Sequence, residues 1–154
     1  MDRKINFRLV SINVFEFTYN SPFTIIPNFE PEKNHPKFNV NLQYRWNYEK
    51  NLFGIVSTLS FYTEIDDGKK VELSKLSYIT EFLIDSLSEI FITRTNNDFD
   101  MDERLESTLI GIAISTGRGI FYEKTAGMNV RNILFPVVNP MDLILSKNMK
   151  NNKE

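Results

Sequence analysis

The chain has 154 residues, a size that suits one domain spanning residues 1–154. Apolar residues make up 42% and charged residues 25%, which excludes general disorder, and a net charge of -2 leaves no basic surplus to neutralise nucleic-acid phosphates. With 0 cysteines, disulfide frameworks, cysteine-based zinc sites and thiol nucleophiles are excluded.

Met1-Asp2-Arg3-Lys4 opens the sequence with charge and not with the apolar run of a signal peptide. No stretch reaches the roughly 18 apolar residues of a membrane span. A cytoplasmic protein without membrane insertion is therefore expected. Ile5, Phe7 and Leu9 then alternate with polar residues, as a half-buried strand requires. The phase slips at Val10, Ile12 and Val14 and slips back at Phe15, Phe17 and Tyr19. Each slip flips the buried face, so the pattern predicts one long, bent or bulged strand from about Ile5 to Tyr19.

Pro22, Pro27, Pro31 and Pro36 follow. Proline removes a donor and fixes φ, so the segment Asn20 to Lys37 is expected to cross over as a loop. It also carries Phe23, Ile25, Ile26 and Phe29, and a loop that apolar must rest on something. Phe38, Val40, Leu42, Tyr44, Trp46 and Tyr48 alternate without fault with Asn39, Asn41, Gln43, Arg45 and Asn47, the clearest strand in the chain. After a turn at Glu49-Lys50-Asn51, Ile55, Leu59, Phe61 and Ile65 share one face of a third strand. Asp66-Asp67-Gly68-Lys69 is a hairpin signal, because Asp-Gly tolerates positive φ. A fourth strand runs from about Val71 to Ile84. Tight links among these three strands imply an antiparallel meander.

Asp85 to Ile92 reads as a short helix capped near Ser86, and Asn96 to Asp102 as a polar loop. Leu105, Leu109, Ile112, Thr116 and Ile120 have helical spacing, which predicts a long helix ending near Lys124, before Gly127. Gly111, Ser115 and Gly119 recur every four residues on nearly one face of it. So many small residues admit a close backbone, and they mark this face as a candidate interface between subunits. Asn139-Pro140 opens a last helix with proline at its permitted first position. Residues 146–154 are expected to fray.

Enzyme chemistry finds no footing. The single histidine, His35, lies in the proline-rich loop, so neither a triad nor a histidine-rich metal site can form. Asp98, Asp100 and Asp102 resemble the opening of a calcium loop, but Glu103 stands where its glycine belongs and Leu109 where its last ligand belongs. Acidic capping of the next helix explains them better. No metal, no cofactor and no catalytic residue is expected. The 13 Phe, 6 Tyr and 1 Trp instead favour strands and sticky surfaces.

The order of elements, together with Val14-Phe15-Glu16-Phe17, Asn20-Ser21-Pro22, Phe29-Glu30-Pro31 and Phe38-Asn39-Val40-Asn41-Leu42, resembles SecB and its SecB-like relatives, the bacterial protein-export chaperones. Ser115-Thr116-Gly117-Arg118-Gly119-Ile120 through Ala126-Gly127 fits that family's long helix. Ile133-Leu134-Phe135-Pro136-Val137-Val138-Asn139-Pro140-Met141-Asp142-Leu143-Ile144 resembles its approach to the last helix. The resemblance implies an α+β fold, a four-stranded antiparallel sheet with a long and a short helix packed on one face. It implies homo-oligomers, either a dimer or a dimer of dimers, and ATP-independent holding of unfolded or extended polypeptide in apolar grooves. It places the client-binding surface on Phe23, Ile25 and Phe29 of the crossover, Val40, Leu42, Tyr44 and Trp46 of the second strand, and Met141, Leu145 and Met149 of the last helix. The carboxyl-terminal segment Ser146 to Glu154 holds no cysteine or histidine, whereas SecB ends in a zinc- and SecA-binding tail, so delivery to SecA is not expected. Clients in export, or the antitoxin of a toxin–antitoxin pair, fit the reading. The alternative is a non-enzymatic oligomeric adaptor or structural module whose aromatics form core and subunit interface.

Overall fold

A computed structural model describes residues 4–30, 32–65, 68–95, 98–126 and 135–151, the side chains of 95, 98 and 146–151 excepted. Among the described residues the elements are β1 (Phe7–Tyr19), α1 (Pro22–Ile25), β2 (Lys37–Asn47), β3 (Leu52–Glu64), β4 (Lys70–Ile84), α2 (Leu87–Ile90), β5 (Ile92–Thr95), β6 (Asp98–Asp100), α3 (Glu103–Thr125) and α4 (Pro140–Asn151). The fold is α+β. Its main sheet is antiparallel with order β1-β4-β3-β2, so β2, β3 and β4 form a meander and the crossover carries the chain from one outer strand to the other.

The alternating pattern decides which face is buried. Phe53, Ile55, Leu59 and Phe61 of β3 sit across from Phe82, Thr80, Leu76 and Ser74 of β4, and all of them are buried. This face packs against Leu105, Leu109, Ile110, Ala113 and Ile114 of α3 and Ile144 of α4, so both helices lie on the same side of the sheet. A second part of the core gathers Ile26, Phe61, Leu73, Phe121 and Phe135. Fully burying a Phe, Leu or Ile is worth about 1.5–3 kcal/mol, so these residues hold the helices down.

β1 is bulged twice, between Leu9 and Ser11 and between Val14 and Glu16. Each bulge inserts a residue and resets the phase. Leu9, Ile12, Val14 and Phe17 therefore all stand on the helix side of the sheet, across from Phe82, Thr80, Tyr78 and Leu76. The β3–β4 turn closes through Gly68 N–H to the Ile65 carbonyl at 2.8 Å, with Gly68 at φ 70. Asp66 and Asp67 lie outside the described residues, as do Pro31, Gly127, Ile133 and Leu134.

Three local expectations are corrected. The crossover is not wholly irregular: Ser21 leads into one helical turn, with Pro22 buried at its start. The short helix after β4 is a single turn, and Ser86 precedes it in a left-handed conformation with no side-chain cap; the Asn51 side chain accepts from Leu87 N–H at 3.2 Å instead. The stretch from Asn96 to Asp102 was expected as a loop, but Asp98–Asp100 pairs with Ile92–Thr95 as a small antiparallel hairpin. The final helix spans Pro140–Asn151. Asp102 does cap α3, its carboxylate accepting from Leu105 N–H at 3.0 Å.

Candidate functional site

β2 is an outer strand, so its side chains are covered from one side only. Register with β3 places Phe38, Val40, Leu42, Tyr44 and Trp46 on the helix side, opposite Phe61, Leu59, Ser57, Ile55 and Phe53. Val40, Leu42 and Tyr44 are half-buried against the core, while Trp46 keeps 38% of its surface exposed. Aromatic clusters fix the two ends of this strip. At one end Trp46 packs on Phe91 at 4.9 Å and Tyr44 on Phe99 at 5.1 Å, with Phe91 and Phe99 themselves 4.9 Å apart. At the other, Phe38 meets Phe135 at 5.9 Å, and Phe135 meets Phe61 at 4.7 Å.

A polar contact orients the middle of the strip. Tyr44 donates its hydroxyl to the buried Glu106 carboxylate of α3 at 2.7 Å. Burial, reinforced by the adjacent carboxylate, raises the Tyr44 phenol far above its ordinary range. The ring is thus held as a neutral donor, half-buried beside Phe53 and Phe99.

The crossover supplies an outward tip. Ile26 is buried and Phe29 half-buried against the second part of the core. Phe23 stacks edge-on to Phe29 with ring centres 5.3 Å apart, yet stays 67% exposed, and Ile25 is exposed beside it in sequence. On α4, Met141 packs half-buried on the core and Leu145 is 53% exposed. The Met149 side chain lies outside the described residues.

The predicted residues therefore divide. Val40, Leu42, Tyr44 and Met141 converge on one part of the core, and Val40 also borders the part that receives Phe29. Phe23, Ile25 and Leu145 point away from it. Of the small residues on α3, a side chain added at Gly111 would come within 3.5 Å of Pro140 of α4, Ser115 is exposed, and a side chain at Gly119 would meet open space. Gly117, not one of that trio, makes the close approach, to Tyr78 and Leu59. Sequence reasoning missed Phe91 and Phe99, the ring neighbours of Trp46 and Tyr44. The signal available was the recurrence of phenylalanine at either side of an otherwise polar stretch. It also missed that Leu9, Val10, Ile12, Val14 and Phe15 of β1 are all exposed, because α3 packs mainly on β3 and β4 and reaches β1 only near Phe17, whose ring meets Phe121 at 6.1 Å.

Among the described residues no three His, Asp or Glu side chains are placed to hold a metal ion, and no helix is long and apolar enough to cross a membrane. The site is a surface of aromatic and aliphatic side chains beside an outer strand.

Among solved structures, the SecB-like chaperone Rv1957 of Mycobacterium tuberculosis, in complex with a ChAD peptide from the HigA1 antitoxin Rv1956, matches with a TM-score of 0.51 at 10% identity, covering 86% of this chain and 87% of that one. The fold is SecB-like. A protein of unknown function from Streptococcus agalactiae is also similar, with a TM-score of 0.44, 15% identity, and 88% and 100% of the two chains covered. No family model and no curated protein matches the chain.

Proposed function

We propose that the protein is an ATP-independent holdase that keeps unfolded or extended polypeptide on the strip formed by β2, the crossover and α4. The observation that carries the reading is Phe23. It is a large aromatic at 67% exposure, stacked on Phe29, at the tip of a crossover anchored by buried Ile26. An exposed aromatic on a fixed support costs little entropy to dock and fits the usual anchor of a binding surface. The SecB-like fold supports the reading, since the similar chaperone was solved with a bound peptide. The reading places the protein in the cytoplasm, serving export clients or an antitoxin. The way Val40, Leu42 and Tyr44 pack into the core favours a second reading, a non-enzymatic adaptor whose aromatics are structural.

The single tryptophan tests the choice. Trp46 lies half open against Phe91 at 4.9 Å. Adding a tryptophan-free unfolded client should cover the indole and shift its emission to the blue, saturating with client. Unchanged emission at client concentrations that saturate binding removes Trp46 from the site.

The oligomeric part of the proposal draws on two surfaces. One is the face of α3 predicted from Gly111, Ser115 and Gly119, of which Ser115 and Gly119 stand exposed while Gly111 is turned toward Pro140 of α4. The other is β1, whose exposed apolar residues are symmetric about Ile12: Val10 and Val14 stand two positions away on either side, Leu9 and Phe15 three. Arg8 and Glu16 flank them with opposite charge. Two such strands laid antiparallel about a two-fold axis at Ile12 would match apolar to apolar and Arg8 to the Glu16 of the second copy, the self-complementarity that an isologous dimer needs. Glu16 is already held by Lys75 at 2.9 Å and would accept the second cation on the same carboxylate. Ile12→Glu should bring two carboxylates together on the axis and halve the mass read by light scattering. An unchanged mass for Ile12→Glu counts against β1, and one for Gly119→Leu counts against α3.

A further inference from the structure

The two outer strands of the sheet are protected unequally. β1 carries two bulges, which interrupt its ladder after Leu9 and Val14, and its apolar side chains are assigned above to a second copy of the chain. β2 pairs with β3 from Lys37 to Asn47 without one shift of register. It contains no proline and no glycine. Its outer side has no neighbouring strand among the described residues. A long, regular edge of this kind is a ready template for one more strand.

The two faces that border this edge differ in chemistry. On the helix side stand Phe38, Val40, Leu42, Tyr44 and Trp46. On the bare side stand the amides Asn39, Asn41, Gln43 and Asn47 with the cations Lys37 and Arg45, and the strand holds no carboxylate. Lys37 is engaged by Glu64 at 2.7 Å, whereas Arg45 makes no ion pair among the described residues.

We propose that the outer edge of β2 takes an extended client segment as a fifth strand, and that it selects segments in which apolar and polar residues alternate, with an acidic residue near Arg45. This rests on the holdase reading and adds to it the binding mode and the client pattern. Main-chain pairing is indifferent to side chains and supplies affinity. Selection comes from the period of two. A segment that alternates sends all its apolar side chains to the aromatic strip and all its polar ones to the amide face. A segment of equal composition with its apolar residues grouped sends half of them to the amide face.

The test uses the full chain and labelled peptides of about eleven residues, one for each position of the edge, read by fluorescence anisotropy. One peptide alternates with Glu at its polar positions and one alternates with Lys. A third groups the residues of the first. Two more copy the first but methylate one or the other alternate set of backbone amides. The Glu peptide should bind about tenfold or more tightly than the grouped one. Methylating one amide set should lose about tenfold or more, because those donors face the edge, and methylating the other set should change binding little. Arg45→Glu should reverse the preference for Glu over Lys. Equal binding of alternating and grouped peptides, or indifference to both methylations, overturns strand addition. An unreversed preference overturns the acidic requirement. In each case protection of an unfolded client remains the separate reading on which the holdase proposal stands. If no peptide binds and no client is protected, both fall.

Discussion

Gly117→Ala should destabilise the protein by about 2–3 kcal/mol, and Gly119→Ala, two residues away, should stabilise it by about 0.5–1 kcal/mol. Both replacements bring the same gain, because alanine is about 1 kcal/mol better than glycine inside a helix. They differ in what the new methyl group meets. At Gly117 it lands on the Tyr78 hydroxyl and 2.7 Å from a Leu59 methyl. Tyr78 has no room to retreat, since it is fully buried and its hydroxyl donates to the Ala113 carbonyl at 2.7 Å. Burial also pushes the Tyr78 phenol up to about 12, so it remains a neutral donor across the working range of pH. The methyl can be admitted only by lifting α3 from the sheet or breaking that bond. At Gly119 the added carbon meets nothing within 4 Å. Denaturant midpoints of the two variants decide the matter, and a shift of the same sign in both contradicts the close packing of α3 at Gly117.

Phe91→Ala should cost about 3–5 kcal/mol, the range for emptying a buried aromatic site. Phe91 is fully buried and touches four rings: Trp46 at 4.9 Å, Phe99 at 4.9 Å, Phe53 at 5.2 Å and Tyr48 at 6.5 Å. It joins the main sheet to the β5–β6 hairpin through Phe99. Its removal leaves a void that rings of fixed shape fill poorly. The loss should appear in the thermal midpoint, at about 2–4 °C for each kcal/mol in a chain of this size. The Trp46 emission should shift to the red at the same time, because the indole loses its neighbour. A variant with an unchanged midpoint and unchanged emission contradicts the placement of Phe91.

The strand pattern was legible where one force acted alone. β2 alternates without fault because it faces helices on one side and nothing on the other. The double slip in β1 announced its two bulges. Asp102 could be read as a cap because the local backbone alone calls for it. What stayed hidden depends on distant partners. Nothing local says that α3 rests on β3 and β4 and leaves Leu9, Ile12 and Val14 open. The small residues of α3 were visible, but which of them is squeezed depends on Tyr78, 39 positions before Gly117. The β5–β6 hairpin is short and polar, with Arg94 paired to Asp100 at 2.9 Å, so it has no hydrophobic period to detect. Within the candidate site, the exposure of Phe23 followed from its loop, whereas the burial of Ile26 and Phe29 beside it did not. That difference makes Phe23 the clean position to alter, since a change at Phe29 would disturb the core as well.

Suppression of the aggregation of an unfolded client, followed by light scattering without nucleotide, tests the central claim most directly. The native chain should suppress aggregation at near-stoichiometric amounts. Phe23→Ser should require about tenfold more protein for the same effect while its melting temperature stays within a degree or so of the native value, because an exposed anchor contributes about 1–2 kcal/mol to binding and little to folding. A native chain that leaves aggregation untouched contradicts the holdase account, and a Phe23→Ser variant that protects as well as the native chain contradicts the place assigned to the client.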